Sequence, residues 1–256
     1  MGQNFGHLIK SWRQVRRFSQ LALSAESGLS SRHISFLETG RSRPSRGSVL
    51  TLARVLDMPR TAINDALLAA GFAPEYPVLN MDDVALAPAM QAMMTILDNH
   101  MPLPGVVIDA DWNIVGGNGA AQHLMGILPM GDKPCLIDSL LNDDPDNPVI
   151  LNWSVVATWT LLRLQNELAR LGPDVPLQES YRKLAAHPRL KQADIASFSD
   201  YGPILTTKIK AGDHILTFLS MMAEFSTVQD VTLSERRVEL FFAADEATKY
   251  YFEKLV

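Results

Sequence analysis

The sequence predicts two domains, an all-α bundle of five helices followed by an α+β domain with one antiparallel sheet and a long helical insertion. Three observations predict this. The chain has 256 residues, enough for two cores. Residues 1–76 hold ten Lys/Arg and five Asp/Glu, a charge of +5, while the whole chain is −5, so the remainder is −10. The apolar spacing runs in helical steps of three and four as far as Gly71, and strand-like runs enter only from Val106 onward. At 47% hydrophobic and 20% charged residues the composition is globular, and no apolar run reaches the roughly 18 residues of a membrane span. Lys10, Arg13, Arg16 and Arg17 come without the apolar core of a secretory signal. Cys135 is the single cysteine, too few for a disulfide or a thiolate-rich zinc site. The expectation is a soluble, reduced, cytoplasmic protein.

The elements follow in order. Phe5, Leu8, Ile9 and Trp12 share one helical face. Ser19 caps a second helix over 20–27, with Leu21, Ala22 and Ala25 expected inward, and Gly28 supplies a left-handed turn. Ser30 caps a third over 31–39, stopped by Gly40. A fourth carries Val49, Leu52, Ala53 and Leu56, and a fifth runs from Pro59 to Gly71. The first domain is therefore set at 1–72, a two-proline linker at 73–81, and the second domain at 82–256. There a helix with Leu86, Met90, Met93 and Leu97 precedes a hairpin-like pair of strands, 106–108 and 114–115. Asn118 caps the next helix and 136–141 forms a short one. Asn147 and Pro148 are expected to open the longest helix, apolar nearly all round and so buried, ending at Gly172. Two short helices in 176–198 then lead to strands at 204–210, 214–225 and 238–244, and Asp245 caps a last helix.

The densest cluster of signals is the pair of helices around Gly28. Two short helices joined by a glycine turn form a helix-turn-helix, whose second helix enters the major groove by its N-terminal residues. Those residues are Ser31, Arg32, His33 and Ser35, and Arg32 has the fork that reads guanine. Gln20 is placed to meet a phosphate, as are Arg41 and Arg43 beyond the reading helix. The basic first domain suits a polyanion and the acidic remainder would be repelled by one. An ordinary helical hairpin with a solvated face is the competing reading.

Ser19-Gln20, Glu38-Thr39-Gly40-Arg41, Arg43-Pro44-Ser45 and Leu52-Ala53 make residues 5–72 resemble the lambda-repressor/Cro-type (Xre family) DNA-binding domain. That resemblance implies that Glu38 ties the reading helix to Arg41 or Arg43. Residues 103–121, with Asn118-Gly119-Ala120-Ala121 opening a helix, look like the start of a PAS domain. The long helix with Trp153 and the tail over 230–248 are similar to MmyB-like regulators. The resemblance implies a ligand-responsive transcription regulator, a homodimer on double-stranded DNA at a palindromic operator, with a fatty-acid-like apolar ligand and no other cofactor. Expected pocket residues are Val107, Trp112, Leu124, Met125, Leu151, Trp159, Leu216, Phe218 and Met222, although residue by residue a plain core is the favoured reading. Met90, Met93, Met94, Met221 and Met222 give adaptable surface.

Enzyme motifs are weak. Gln122 stands where a dinucleotide loop needs Gly or Ala, and no nucleophile elbow or phosphate-loop lysine is present. The six histidines lack metal spacing. Asp109 and Asp111 read as turn formers, and Asp143, Asp144 and Asp146 as a solvated loop without the glycine and closing glutamate of a calcium site. The other functional class left open is a DNA-binding adaptor or antitoxin-like repressor whose second domain binds a protein partner or only dimerises.

Overall fold

The computed structural model describes residues 4–172, 175–191, 204–225 and 229–255. The chain forms two compact units: Met1–Leu79 with Gln165–Val175 and Gln229–Val231, and Asn80–Leu164 with Pro176–Val228 and Thr232–Val256.

The first unit contains α1 (Phe5–Val15), α2 (Gln20–Ser27), α3 (Ser31–Glu38), α4 (Arg46–Val55) and α5 (Arg60–Ala69). The caps explain the boundaries. Ser19, Ser30 and Ser45 each accept a backbone N–H with the side-chain oxygen at an N-terminus. Gly28 ends α2 at φ 71°, a conformation that costs a non-glycine residue strain. The core joins Phe5, Leu8, Ile9 and Trp12 of α1 to Leu23, Ile34, Leu37, Leu52, Leu56 and Leu67. Helix α2 differs from expectation. Leu23 is its buried residue, while Leu21 is 74% exposed and Ala22 and Ala25 lie outside. Leu23 and Ser27 stand one turn apart, and Ser27 Oγ donates to the Leu23 carbonyl, so this edge rather than Leu21 faces the bundle.

Gly6 lets α1 meet α3. A Cβ there would lie 2.6 Å from the Glu38 carbonyl oxygen and closer still to that of Leu37. Gly6→Ala is expected to cost about 1–3 kcal/mol by forcing the helices apart. An unchanged urea midpoint would show that α1 can shift without loss. The expected linker is partly fastened. Asn64, buried in α5, accepts from the Glu75 and Tyr76 N–H groups and donates to the Tyr76 carbonyl. Residues 73–76 therefore belong to the bundle surface.

In the second unit a short 3-10 turn (Val84–Leu86) leads into α6 (Ala87–Asn99). Then come β1 (Gly105–Ile108), β2 (Ile114–Gly117), α7 (Gly119–Ile127), α8 (Asp138–Leu141) and α9 (Trp153–Leu171). After α10 (Leu177–Ala185) and α11 (Pro188–Lys191) follow β3 (Thr207–Ala211), β4 (His214–Glu224), α12 (Val231–Ser234), β5 (Arg237–Ala243) and α13 (Glu246–Glu253). Residues 192–198 of the expected second short helix lie outside the described residues. The five strands form one antiparallel sheet in the order β2-β1-β5-β4-β3. The chain thus has the two-domain architecture read from its sequence.

Helix α9 starts at Trp153, not at Pro148. Residues 149–151 are tied to β3 through a single bridge at Ile150: Lys210 N donates to the Val149 carbonyl and Leu151 N to that of Lys208, both at 2.8 Å. Two backbone bonds to a strand edge outweigh the helix-opening tendency of proline. The helix is also one-sided, with Trp153, Ala157 and Leu164 buried but Trp159 and Leu162 about two-fifths exposed. Asp143 is not part of a solvated loop. Its carboxylate is fully buried, accepts from the Val149 and Ile150 N–H groups and pairs with Arg189 at 2.9 Å.

Candidate functional site

In the first unit α3 is amphipathic in the way a reading helix requires. Ile34 and Leu37 are buried, Ser31 and Arg32 are exposed, and His33 and Ser35 are half-buried. The Arg32 guanidinium lies over the Phe36 ring, 5.3 Å from its centroid, one helical turn along. This stacking holds a flexible cation over the exposed side of the helix. Phe36 had no role in the sequence reading, although its i+4 spacing from Arg32 was the available signal. Arg41 and Arg43 are exposed in the following loop.

Glu38 has different partners from those the resemblance implied. Its carboxylate, 2% exposed, takes a bidentate pair from Arg13 of α1 at 2.6 and 2.9 Å, and a third bond from Gln20 Nε2 at 2.8 Å. Arg41 and Arg43 stay exposed, and an arginine on a helix packed against α3 fills the fork instead. The bond to Glu38 raises the Arg13 pKa above its ordinary value, against the opposing effect of desolvation. Arg13 also donates to the Phe18 carbonyl. One carboxylate therefore fixes α3, the end of α1 and the first residue of α2, and it orients the Gln20 amide.

In the second unit a cavity of about 310 Å³ opens between the sheet and α7, α8 and α9. Trp112, Leu124 and Trp159 line it, as expected pocket residues, together with Leu140, Ile150, Val155, Ile209 and Phe241. Trp112 reaches the wall from the β1–β2 turn at φ 66°, an unusual conformation for a bulky residue. Asp109 imposes it by accepting from the Asp111 and Asn113 N–H groups at 3.0 Å each. Burial, then the neighbouring Asp109, raises the pKa of Asp111.

The other expected pocket residues lie outside this wall. Val107 pairs with Val238, an odd number of positions from Glu239 and from Phe241, so alternation turns it to the opposite sheet face. Leu216 and Phe218 share the inner face but are buried in a core with Ala120 and Phe252. Leu151 is 41% exposed beside β3, and Met125 is half-buried on α7. Met222 is half-buried with its sulfur against Arg163.

The sequence reading missed the polar end of the cavity. Arg163 of α9 reaches Glu239 of β5 through both terminal nitrogens, at 3.1 and 3.0 Å. Its guanidinium lies 4.2 Å from the centroid of the Trp112 ring. Arg163 and Glu239 are 76 positions apart, and no local spacing signals the pair. Cys135 is buried, and burial is the main cause that pushes its thiol pKa up, which makes it a poor nucleophile. Among the described residues no group of three or more His, Cys, Asp or Glu is placed to hold a metal, and no helix is long and apolar enough to cross a membrane.

Comparison with known proteins follows the same division. A helix-turn-helix domain model matches residues 4–66. The model of the MmyB-like transcription regulator ligand binding domain matches residues 89–255. The uncharacterized HTH-type transcriptional regulator y4dL of Sinorhizobium fredii (strain NBRC 101917 / NGR234) is 42% identical over 136 residues, 52% of this chain. The chain spans 57% of that relative's length. Among solved structures an RNA-binding light-oxygen-voltage receptor aligns over 97% of this chain and 61% of its own, at 16% identity and a TM-score of 0.24, too slight a likeness to carry an argument. With a helix-turn-helix at its head and that family model spanning well over half its length, the chain belongs to the transcription regulators that carry an MmyB-like ligand-binding domain.

Proposed function

We propose that the protein is a cytoplasmic, sequence-specific regulator that binds a palindromic operator as a homodimer and is modulated by a small, apolar, fatty-acid-like ligand in the cavity of its second unit. The observation that carries the DNA-reading half is the exposed N-terminal end of α3. It presents Ser31 and Arg32 outward, with Arg41 and Arg43 exposed beyond it, on a unit braced from behind by Glu38. One such helix covers one half-site, and two-fold symmetry doubles it. Gln20, His33 and Ser35 complete the proposed DNA-facing set, with Gln20, Arg41 and Arg43 on phosphates.

The cavity supports the sensing half. At about 310 Å³ it is in the range of small-ligand sites, and its wall is mainly Trp, Leu, Ile, Val and Phe. A ligand there acts on DNA binding only by preferring one of two arrangements of the protein. Arg32→Ala is expected to weaken binding to the specific operator by about 1–3 kcal/mol while leaving non-specific binding nearly unchanged. Fluorescence anisotropy against specific and scrambled duplexes measures this. Equal losses on both would remove Arg32 from base reading and leave it a phosphate contact.

A further inference from the structure

We infer that the cavity selects a ligand whose polar end is uncharged, an alcohol or ester rather than a free carboxylate. The inference rests on the cavity being the site of that fatty-acid-like ligand; it keeps the apolar chain and narrows the head group to uncharged forms, so that the free acid itself is disfavoured. Among the described lining residues Arg163 is the one basic side chain and Glu239 the one acidic, and they are paired with each other. The carboxylate of Glu239 is 5% exposed, and it occupies both terminal nitrogens of the Arg163 fork. The Trp112 ring covers a face of the guanidinium. The arginine that would ordinarily clamp a carboxylate is therefore already clamping one.

An entering carboxylate would meet Glu239 as a like charge in a site walled by apolar groups, where repulsion is poorly screened. A hydroxyl or ester brings no charge. A hydroxyl can donate to Glu239 or to Ser139 Oγ, and a hydroxyl or an ester carbonyl can accept from Thr160 or Ser220, which also line the cavity.

The test uses the full chain and three probes of one chain length: 1-decanol, methyl decanoate and decanoate. Quenching of tryptophan fluorescence reports binding, because Trp112 and Trp159 are in the wall. The alcohol and the ester are expected to bind at least about tenfold more tightly than decanoate, a gap of 1.4 kcal/mol. Glu239→Gln, which removes the negative charge from the Arg163 fork, is expected to tighten decanoate by about tenfold and to leave decanol within about threefold. Decanoate binding the unaltered protein as tightly as the ester overturns the inference, whether or not the variant folds. An unchanged acid-to-alcohol ratio in a folded Glu239→Gln variant also overturns it. If none of the three binds, the cavity itself is not the ligand site, and the failure lies with that reading rather than with the head-group preference.

Discussion

Glu38→Ala is expected to cost the first unit about 3–5 kcal/mol and to abolish operator binding at physiological temperature. The magnitude follows from what is left behind. Arg13 is 12% exposed, and without Glu38 its guanidinium is a nearly buried charge that keeps the neutral Phe18 carbonyl but has lost its carboxylate. Gln20 loses its acceptor in the same step. Small domains have only about 5–15 kcal/mol in total, so such a loss is a large fraction of it. Urea unfolding followed by far-UV circular dichroism measures the change. The paired variant Arg13→Met with Glu38→Leu separates charge from packing, since replacing both partners by apolar groups is often neutral or stabilising. If the pair is as damaged as Glu38→Ala alone, the unpaired charge is not the cause.

Asp143→Ala carries the second large effect, again about 3–5 kcal/mol, this time in the second unit. Arg189 loses its carboxylate partner, though it keeps the residue-143 carbonyl at 3.3 Å and the Trp153 ring 4.3 Å from its guanidinium carbon. Val149 and Ile150 also lose the acceptor that holds their N–H groups. Ile150 is part of the cavity wall, so this variant is expected to weaken ligand binding as well as stability, while the fold of α1–α5 is kept. Thermal unfolding with ligand titration on the surviving folded fraction tests it. A full-strength ligand response in a destabilised variant would show that the 149–151 segment keeps its path without Asp143.

The two carboxylates show where the sequence was legible and where it was not. Caps and turn glycines act within three or four residues, and Ser19, Gly28, Ser30, Asn118 and Asp245 all stand where local reading puts them. The five strands were visible in the same way, through short apolar runs between turn residues. Partnerships over long separations left no such mark. Glu38 is 25 residues from Arg13, and the choice between Arg13, Arg41 and Arg43 depends on how α1 packs on α3. Asp143 looked solvated because it stands among other acids, but the pairing of 149–151 with β3 draws it inside. Val107 was misplaced by one strand position, which in a sheet means the opposite face. The apolar part of the cavity was partly foreseen in Trp112, Leu124 and Trp159. Its polar end, made by α9 and β5 together, was not.

The bracing of α3 from behind has a consequence for how such a protein changes its target. Arg13, Glu38 and Gln20 hold the helix through contacts that do not involve Ser31 or Arg32. Exposed positions of that kind usually tolerate substitution within about 0.5 kcal/mol. The letters that recognise DNA are thereby uncoupled from the scaffold that displays them. A lineage, or an engineer, can rewrite Ser31 and Arg32 and obtain a new operator preference without first restoring a damaged fold.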